Sequence, residues 1–215
     1  MLTTESGLKL RCQKAHIGQH RITIGTCITL GTLVQLGFSN DHFTHVILDE
    51  AGQCTEPETM VIISQVDNKS GQIILSGDPL QLGPIVLNKF ANLRGLGKSY
   101  LARLLQSQPY TRDKQRYPGT GFNHRLVTKL IYNYRSLPSI LKTFNDIFYC
   151  SELLPCVDEN NSPEVQLLNA VSVCLPTYHK RAPAHGALFF GIRGENRQDK
   201  DSPSWYNAEE ARQVN

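Results

Sequence analysis

Short apolar runs separated by turn-forming residues set the pattern along this chain, and they predict alternating strands and helices. Residues 1–20 are polar and carry little pattern. In residues 21–27, Ile22 and Ile24 alternate with polar positions, which predicts a strand with Thr26 at its end; residues 29–37 then read as a short helix or turn. A second strand is expected over 43–48. Its run Val46-Ile47-Leu48 is too short for a helix and has the character of a strand buried on both faces of a parallel sheet. Thr55-Glu56-Pro57-Glu58 has the form of a capping box with proline in the first turn, so a helix should run from there to about Val66. After a turn at 67–71, residues 72–76 form another buried run. Strand, helix and strand make a βαβ unit with a right-handed crossover, and the sheet is expected to be parallel.

Farther on, Gly77-Asp78-Pro79-Leu80-Gln81-Leu82-Gly83-Pro84 is a turn built from residues that fix backbone shape. Leu101, Leu104 and Leu105 share one face of a helix expected over 99–106. Residues 108–123, with Pro109, Pro118, Gly119 and Gly121, mark a hinge or insertion between domains. Beyond it a strand is expected over 125–133. Ser136 then caps a helix with Pro138 near its start and with Ile140, Leu141, Phe144, Ile147 and Phe148 as its core stripe. Residues 151–185 are irregular and suggest no chemistry, 187–192 read as a final strand, and Asn207-Ala208-Glu209-Glu210 is a second capping box.

Two adjacent carboxylates, Asp49 and Glu50, stand at the C-terminal end of the strand over 43–48, the edge at which parallel sheets bind ligands. Phosphoryl transfer has a use for such a pair. Asp49 is suited to hold Mg²⁺, directly or through water, while Glu50 orients and deprotonates an attacking water. An acidic turn after a core strand is the alternative reading. The 77–84 loop emerges at the same sheet edge, where its polar side chains could sense a phosphate.

Charge is distributed unevenly. Residues 89–135 hold ten of the chain's 22 Lys and Arg but only one of its 19 acids, Asp113, although the net charge is just +3. Phe90, Tyr100, Tyr110, Tyr117 and Phe122 are interleaved with these cations, and Arg112, Lys114 and Arg116 form the densest group. A polyanion-binding surface needs that combination of phosphate neutralisation and base stacking; a solvated linker with packed aromatics is the alternative. The 215 residues, 40% of them hydrophobic, allow one large domain or two small ones. No apolar stretch approaches the roughly 20 residues of a membrane span, and the N-terminus lacks a secretory apolar region. The six cysteines are scattered without a C-x-x-C pair, which argues against a zinc site or disulfide framework.

Taken together, the hhhDEAG run ending at Gly52, the GDPLQLGP turn and Tyr132-Asn133-Tyr134-Arg135-Ser136-Leu137-Pro138 resemble motifs II, III and IV of superfamily 1 helicases of the upframeshift-one-like group. FTHVILDEAGQCTEPE, GQIILSGDPLQLGPIV, GLGKSYLARLL, LVTKLIYNYRSLPSIL and SPSWYNAEEA are similar to the branch containing Armitage and the Moloney leukaemia virus 10 homologues. The likeness extends over most of residues 20–215 and is weakest over 151–185. It implies Asp49 as the Mg²⁺-coordinating aspartate, Glu50 as the catalytic glutamate and Gln81 as the glutamine that contacts the γ-phosphate. It further implies Tyr134 stacking near adenine, Arg135 as an arginine finger and Thr26 touching the RNA backbone.

The chain departs from the family pattern in places. Leu137 stands where the family has histidine. No Walker A loop is found: Gly97-Lys98-Ser99 lacks the glycine a P-loop requires at position 92, which is Asn92, and does not follow a strand. The resemblance implies an α/β P-loop NTPase fold of RecA-like lobes, incomplete at both ends. Residues 1–107 would be the later part of the first lobe, 108–123 a basic hinge, and 124–215 the early part of the second. The implied parent is an ATP-dependent RNA helicase using ATP and Mg²⁺, acting with small-RNA silencing factors in cytoplasmic ribonucleoprotein granules; the chain alone is expected to be inactive. A DNA helicase and a non-catalytic RNA-binding scaffold are the competing expectations.

Overall fold

The computed structural model describes residues 2–3, 9–10, 17–39, 41–160, 162–174 and 191–214. The chain divides into two compact units, Met1–Lys129 and Leu130–Asn215.

In the first unit, β1 (Leu2–Thr3) pairs antiparallel with β2 (Lys9–Leu10). Then follow α1 (Cys27–Gln35), β3 (His45–Leu48), α2 (Glu56–Ile63) and β4 (Gln72–Leu75). β3 and β4 are parallel and in register from His45 opposite Gln72 to Leu48 opposite Leu75, which is the βαβ unit the sequence predicts. The capping box is present too: Thr55 N–H donates to Glu58 Oε2 at 2.8 Å, and the Thr55 hydroxyl accepts from Glu58 N–H. Leu48, Ala51 and Ile62 form a core against which Cys27, Leu30, Val46, Cys54, Leu75 and Leu101 pack. Buried Gln65 joins the two helices, its amide donating to Leu30 O at 3.1 Å and Val61 O at 3.2 Å. α3 (Lys89–Ala91) runs into a π-helical turn, Asn92–Leu96, and α4 (Tyr100–Leu104) is capped by Ser99.

Two expectations for this unit fail. No strand forms over 21–27; Ile24 is 91% exposed, and the segment leads directly into α1. Alternation specifies a strand only where a neighbouring strand takes up its backbone groups, and no such neighbour is found among the described residues. Nor is β3 buried on both faces: Leu48 is buried, whereas Ile47 is 70% exposed. α2 covers one face, and β4 is the one strand paired with β3 among the described residues.

The second unit contains β5 (Tyr132–Asn133), α5 (Pro138–Phe148), β6 (Leu154–Pro155), α6 (Pro163–Cys174), β7 (Asn196–Gln198), β8 (Trp205–Asn207) and α7 (Ala208–Val214). β5 and β6 are parallel, β7 and β8 antiparallel. Asn145, buried in α5, donates to Leu153 O and accepts from Leu153 N–H, each at 2.9 Å, and so directs the chain back into β6. The strand expected over 125–133 contracts to two residues. Ser136 does not cap α5; Leu137 occupies that position with no side-chain bond, while Asn133 Oδ1 accepts from Arg135 and Ser136 N–H. Of the expected core stripe Leu141 is fully buried, but Ile147 and Phe148 are exposed. The irregular stretch expected over 151–185 contains α6, and 187–190 of the expected final strand lie outside the described residues. Asn207 caps α7 as its sequence predicts, accepting from Glu209 and Glu210 N–H.

Candidate functional site

The parallel ladder of β3 and β4 continues past the strand ends. Ser76 N–H donates to Leu48 O and Ala51 N–H donates to Ser76 O, both at 2.8 Å. These bonds hold the turn carrying Asp49 and Glu50 against the loop after β4. Glu50 takes a left-handed backbone with φ 52°, an uncommon state for a non-glycine residue and one found at functional turns. Local bonds maintain it: Glu50 N–H donates to Asp49 Oδ1 at 3.0 Å, Gln53 N–H donates to Glu50 O at 2.9 Å, and the Gln53 amide reaches Glu50 Oε2 at 3.3 Å. Both carboxylates are exposed at the sheet edge.

Two glycines let the loops approach. A Cβ on Gly52 would lie 2.9 Å from Asp78 O, and one on Gly77 would lie 2.9 Å from Ala51 N, distances a side chain does not tolerate. Within the second loop Asp78 is the organiser: Oδ1 accepts from Leu80 N–H at 2.9 Å and Oδ2 accepts from the Gln81 amide at 3.0 Å. Gln81 thus stands exposed on a loop whose backbone touches the Asp49–Glu50 turn. Sequence reasoning did not single out Gln53 or Asp78. Each lies three residues from the side chain it holds, a spacing that was readable but ambiguous without the turn geometry.

Asp49 fits a magnesium ion in its chemistry. Mg²⁺ takes hard oxygen donors and commonly draws only one or two from the protein, the rest being water and phosphate oxygens. Asp49 Oδ1 is engaged with Glu50 N–H, and its other oxygen accepts no hydrogen bond among the described residues. No cluster of three or more His, Cys, Asp or Glu is found among the described residues. Gly97-Lys98-Ser99 follows a helical turn, Ser99 is buried as the cap of α4, and Lys98 Nζ donates to Gln106 Oε1.

The nucleic-acid candidates are placed differently. Thr26 is the N-cap of α1, its hydroxyl accepting from Thr29 N–H at 3.2 Å, so its side chain has a structural task. Arg112, Lys114 and Arg116 are exposed on a closed loop. Asp113 N–H donates to Gly121 O at 2.7 Å, and Asp113 Oδ1 accepts from Gln115 and Arg116 N–H. The Arg112 guanidinium lies 5.9 Å from the Phe122 ring and that of Arg116 lies 5.5 Å from Tyr117. Cations and aromatics are therefore interleaved in space as they are in sequence. In the second unit, Tyr134 and Arg135 follow β5 and are both exposed. The neighbouring Cys156 thiol pushes the Tyr134 hydroxyl above its ordinary value.

Comparison with known proteins agrees with these motifs. The AAA domain family matches residues 6–89. Probable RNA helicase armi of Drosophila melanogaster is 53% identical over 215 residues, covering all of this chain and 18% of that protein. The chain belongs to the Armitage and Mov10 branch of superfamily 1 helicases. Within that branch, RNA helicase Mov10l1 of Homo sapiens is 40% identical over 197 residues, 90% of this chain and 15% of that protein. Putative helicase mov-10-B.1 of Danio rerio is 39% identical over 201 residues, 92% of this chain and 18% of that protein. The chain spans less than a fifth of the length of these relatives. An AAA match carries a P-loop NTPase type of fold, in keeping with the parallel βαβ unit and its helices. No described helix is long and apolar enough to cross a membrane.

Proposed function

We propose that this chain supplies part of the nucleotide- and RNA-handling core of an ATP-dependent RNA helicase, with its two units as portions of successive RecA-like lobes. The observation that carries the proposal is the juxtaposition of the Asp49–Glu50 turn with the Asp78–Gln81 loop at the C-terminal edge of a parallel sheet. Relatives named as RNA helicases support RNA over DNA as the polymer. In this reading Glu50 accepts the proton of the attacking water, and the Gln53 amide keeps its carboxylate oriented. Gln81, braced by Asp78, meets the γ-phosphate. Asp49 would hold Mg²⁺, which neutralises developing phosphate charge when bound. Tyr134 stacks near adenine, and Arg135 offers its planar guanidinium to the γ-phosphate.

The exposed cations of the 111–122 loop bind RNA through its phosphates, giving affinity that is independent of sequence and sensitive to salt. By its resemblance, the parent works with small-RNA silencing factors in cytoplasmic granules. Gly97-Lys98-Ser99 does not serve as a phosphate loop, so turnover needs a P-loop from elsewhere in the parent, and the 215-residue chain alone is inactive. Glu50→Gln in the parent tests this reading. ATP hydrolysis should fall to background while RNA binding persists, and the unmutated parent should unwind RNA duplexes in preference to DNA duplexes, an activity that the variant loses. Near-normal hydrolysis by that variant would remove Glu50 from the chemistry.

A further inference from the structure

We propose that Cys27 and Cys54 form a redox-modifiable dithiol, which a peroxide closes into a disulfide that ties the start of α1 to the loop carrying Asp49 and Glu50. Both are free thiols, half-buried, and packed against the same Leu48–Ala51–Ile62 core. They face the same three buried side chains, and the Cys27 thiol acts on Cys54. Cys54 lies between Gln53, whose amide holds Glu50, and Thr55, which caps α2. Cys27 is the first residue of α1, immediately after its cap Thr26. A bond between these sulfurs would therefore join the beginnings of two helices directly beside the candidate catalytic turn.

A thiophilic metal is a poorer occupant. Glu58 acts on Cys54, but its Oε2 already accepts from both Thr55 N–H and the Thr55 hydroxyl. Among the described residues no third ligand joins the two thiols, which suits a disulfide better than a metal. Burial, and next the Cys27 thiol, push Cys54 up to about 11, so at neutral pH it rests as a thiol. The resting form is thus slow to react without an oxidant, and proximity supplies the advantage once one arrives.

The balance of the step is simple. The two thiols lose two hydrogens and two electrons, one S–S bond forms, the O–O bond of hydrogen peroxide breaks, and two waters leave. A thiol reductant reverses it by exchange. The modification stands on the packing of the two thiols and is independent of the helicase reading.

The test uses the full chain, reduced, exposed to hydrogen peroxide, alkylated, digested and mapped by mass spectrometry. The expected product is a Cys27–Cys54 cross-linked peptide pair, two hydrogens lighter than its reduced parts. It should exceed pairs with exposed Cys150 or Cys156 by roughly tenfold or more, reflecting high local concentration. Reductant should abolish it, and peroxide treatment in denaturant should remove the preference. Amide exchange over residues 50–55 should slow on oxidation and recover on reduction. In Cys54→Ser, Cys27 should instead accumulate as a sulfenic acid trapped by dimedone. Even cross-linking among all pairs in native buffer would overturn the proposal. So would two thiols that stay alkylatable while Cys150 and Cys156 oxidise.

Discussion

Arg103 grips Glu56 with two hydrogen bonds of 2.7 Å, Nε meeting Oε2 and Nη2 meeting Oε1, across 47 residues of sequence. The fork ties α4, which follows the Gln81 loop, to the first residue of α2, which follows the Asp49–Glu50 turn. An antiparallel bridge between Thr55 and Ser99 brings the two helix caps together at the same place. The Arg103 guanidinium also lies 5.0 Å from the Tyr100 ring, which orients it before it reaches Glu56. Both segments that flank the candidate site are therefore fastened to each other behind it.

This pair predicts a pH dependence. The Arg103 hydrogen bonds hold the Glu56 carboxyl below its ordinary value of 4.5. A carboxyl whose folded value is depressed stabilises the fold above the unfolded value, and that contribution disappears as pH falls through the folded value. The wild-type chain should thus melt above Glu56→Gln at neutral pH, and the two should converge well below pH 4.5. Both side chains are partly exposed, so the gap should be small and shrink with added salt. A gap independent of pH, followed by thermal melts, would mean that the pair is not ionised in solution.

Gly52→Ala should damage the site more than the fold. Its new methyl would stand 2.9 Å from the Asp78 carbonyl oxygen, and a backbone atom cannot swing aside as a side-chain tip does. The two loops must separate, and displacements near 1 Å at a reacting centre cost about 10²-fold in rate. ATP turnover by the parent should drop on that scale. Gly83→Ala is the control, since the nearest atom to its Cβ, Gly97 O, is 3.6 Å away. Equal reductions in both variants would show that the approach of the loops does not set the rate.

Replacing Arg112, Lys114 and Arg116 by glutamate should weaken RNA binding uniformly across sequences. The slope of log K against log salt should flatten by up to about one unit for each phosphate that the loop no longer neutralises. Titrations of single-stranded RNA at several salt concentrations measure both effects. An unchanged slope would make the loop a solvated surface feature whose arginines merely cover Phe122 and Tyr117.

Arg135 and Tyr134 should separate by kinetic signature. Arg135 is exposed, so Arg135→Ala should leave folding and nucleotide-free RNA binding intact. In the parent it should lower kcat by roughly 10³-fold, the scale of an arginine finger, with Arg135→Lys a partial rescue because a point charge lacks the fork. Tyr134→Ala should mainly raise KM for ATP. Steady-state kinetics distinguish these patterns, and near-normal turnover in Arg135→Ala would make that residue a surface charge.

Much of the first unit was readable from local chemistry. The Thr55–Glu58 capping box, a helix within 99–106 and the parallel pairing of the two apolar runs all appear as the pattern predicts. Each depends on residues within one turn of each other, or on a βαβ connection whose geometry leaves few choices. The position of Asp49 and Glu50 at the sheet edge follows from the same logic.

Residue pattern alone determined where α2, α4 and α7 begin, that the runs of β3 and β4 pair in parallel, and which polar side chains emerge at their ends, because caps and short apolar runs act over a few bonds. Tertiary structure decided the rest. Alternation at Ile22 and Ile24 did not become a strand, since a strand exists only through hydrogen bonds to another strand. The close approach of Gly52 to Asp78, the Arg103–Glu56 fork and the packing of Cys27 and Cys54 on one core join residues from separate turns and helices. Those contacts arise only after the chain has folded back on itself, when packing brings distant backbone and side-chain atoms within bonding distance.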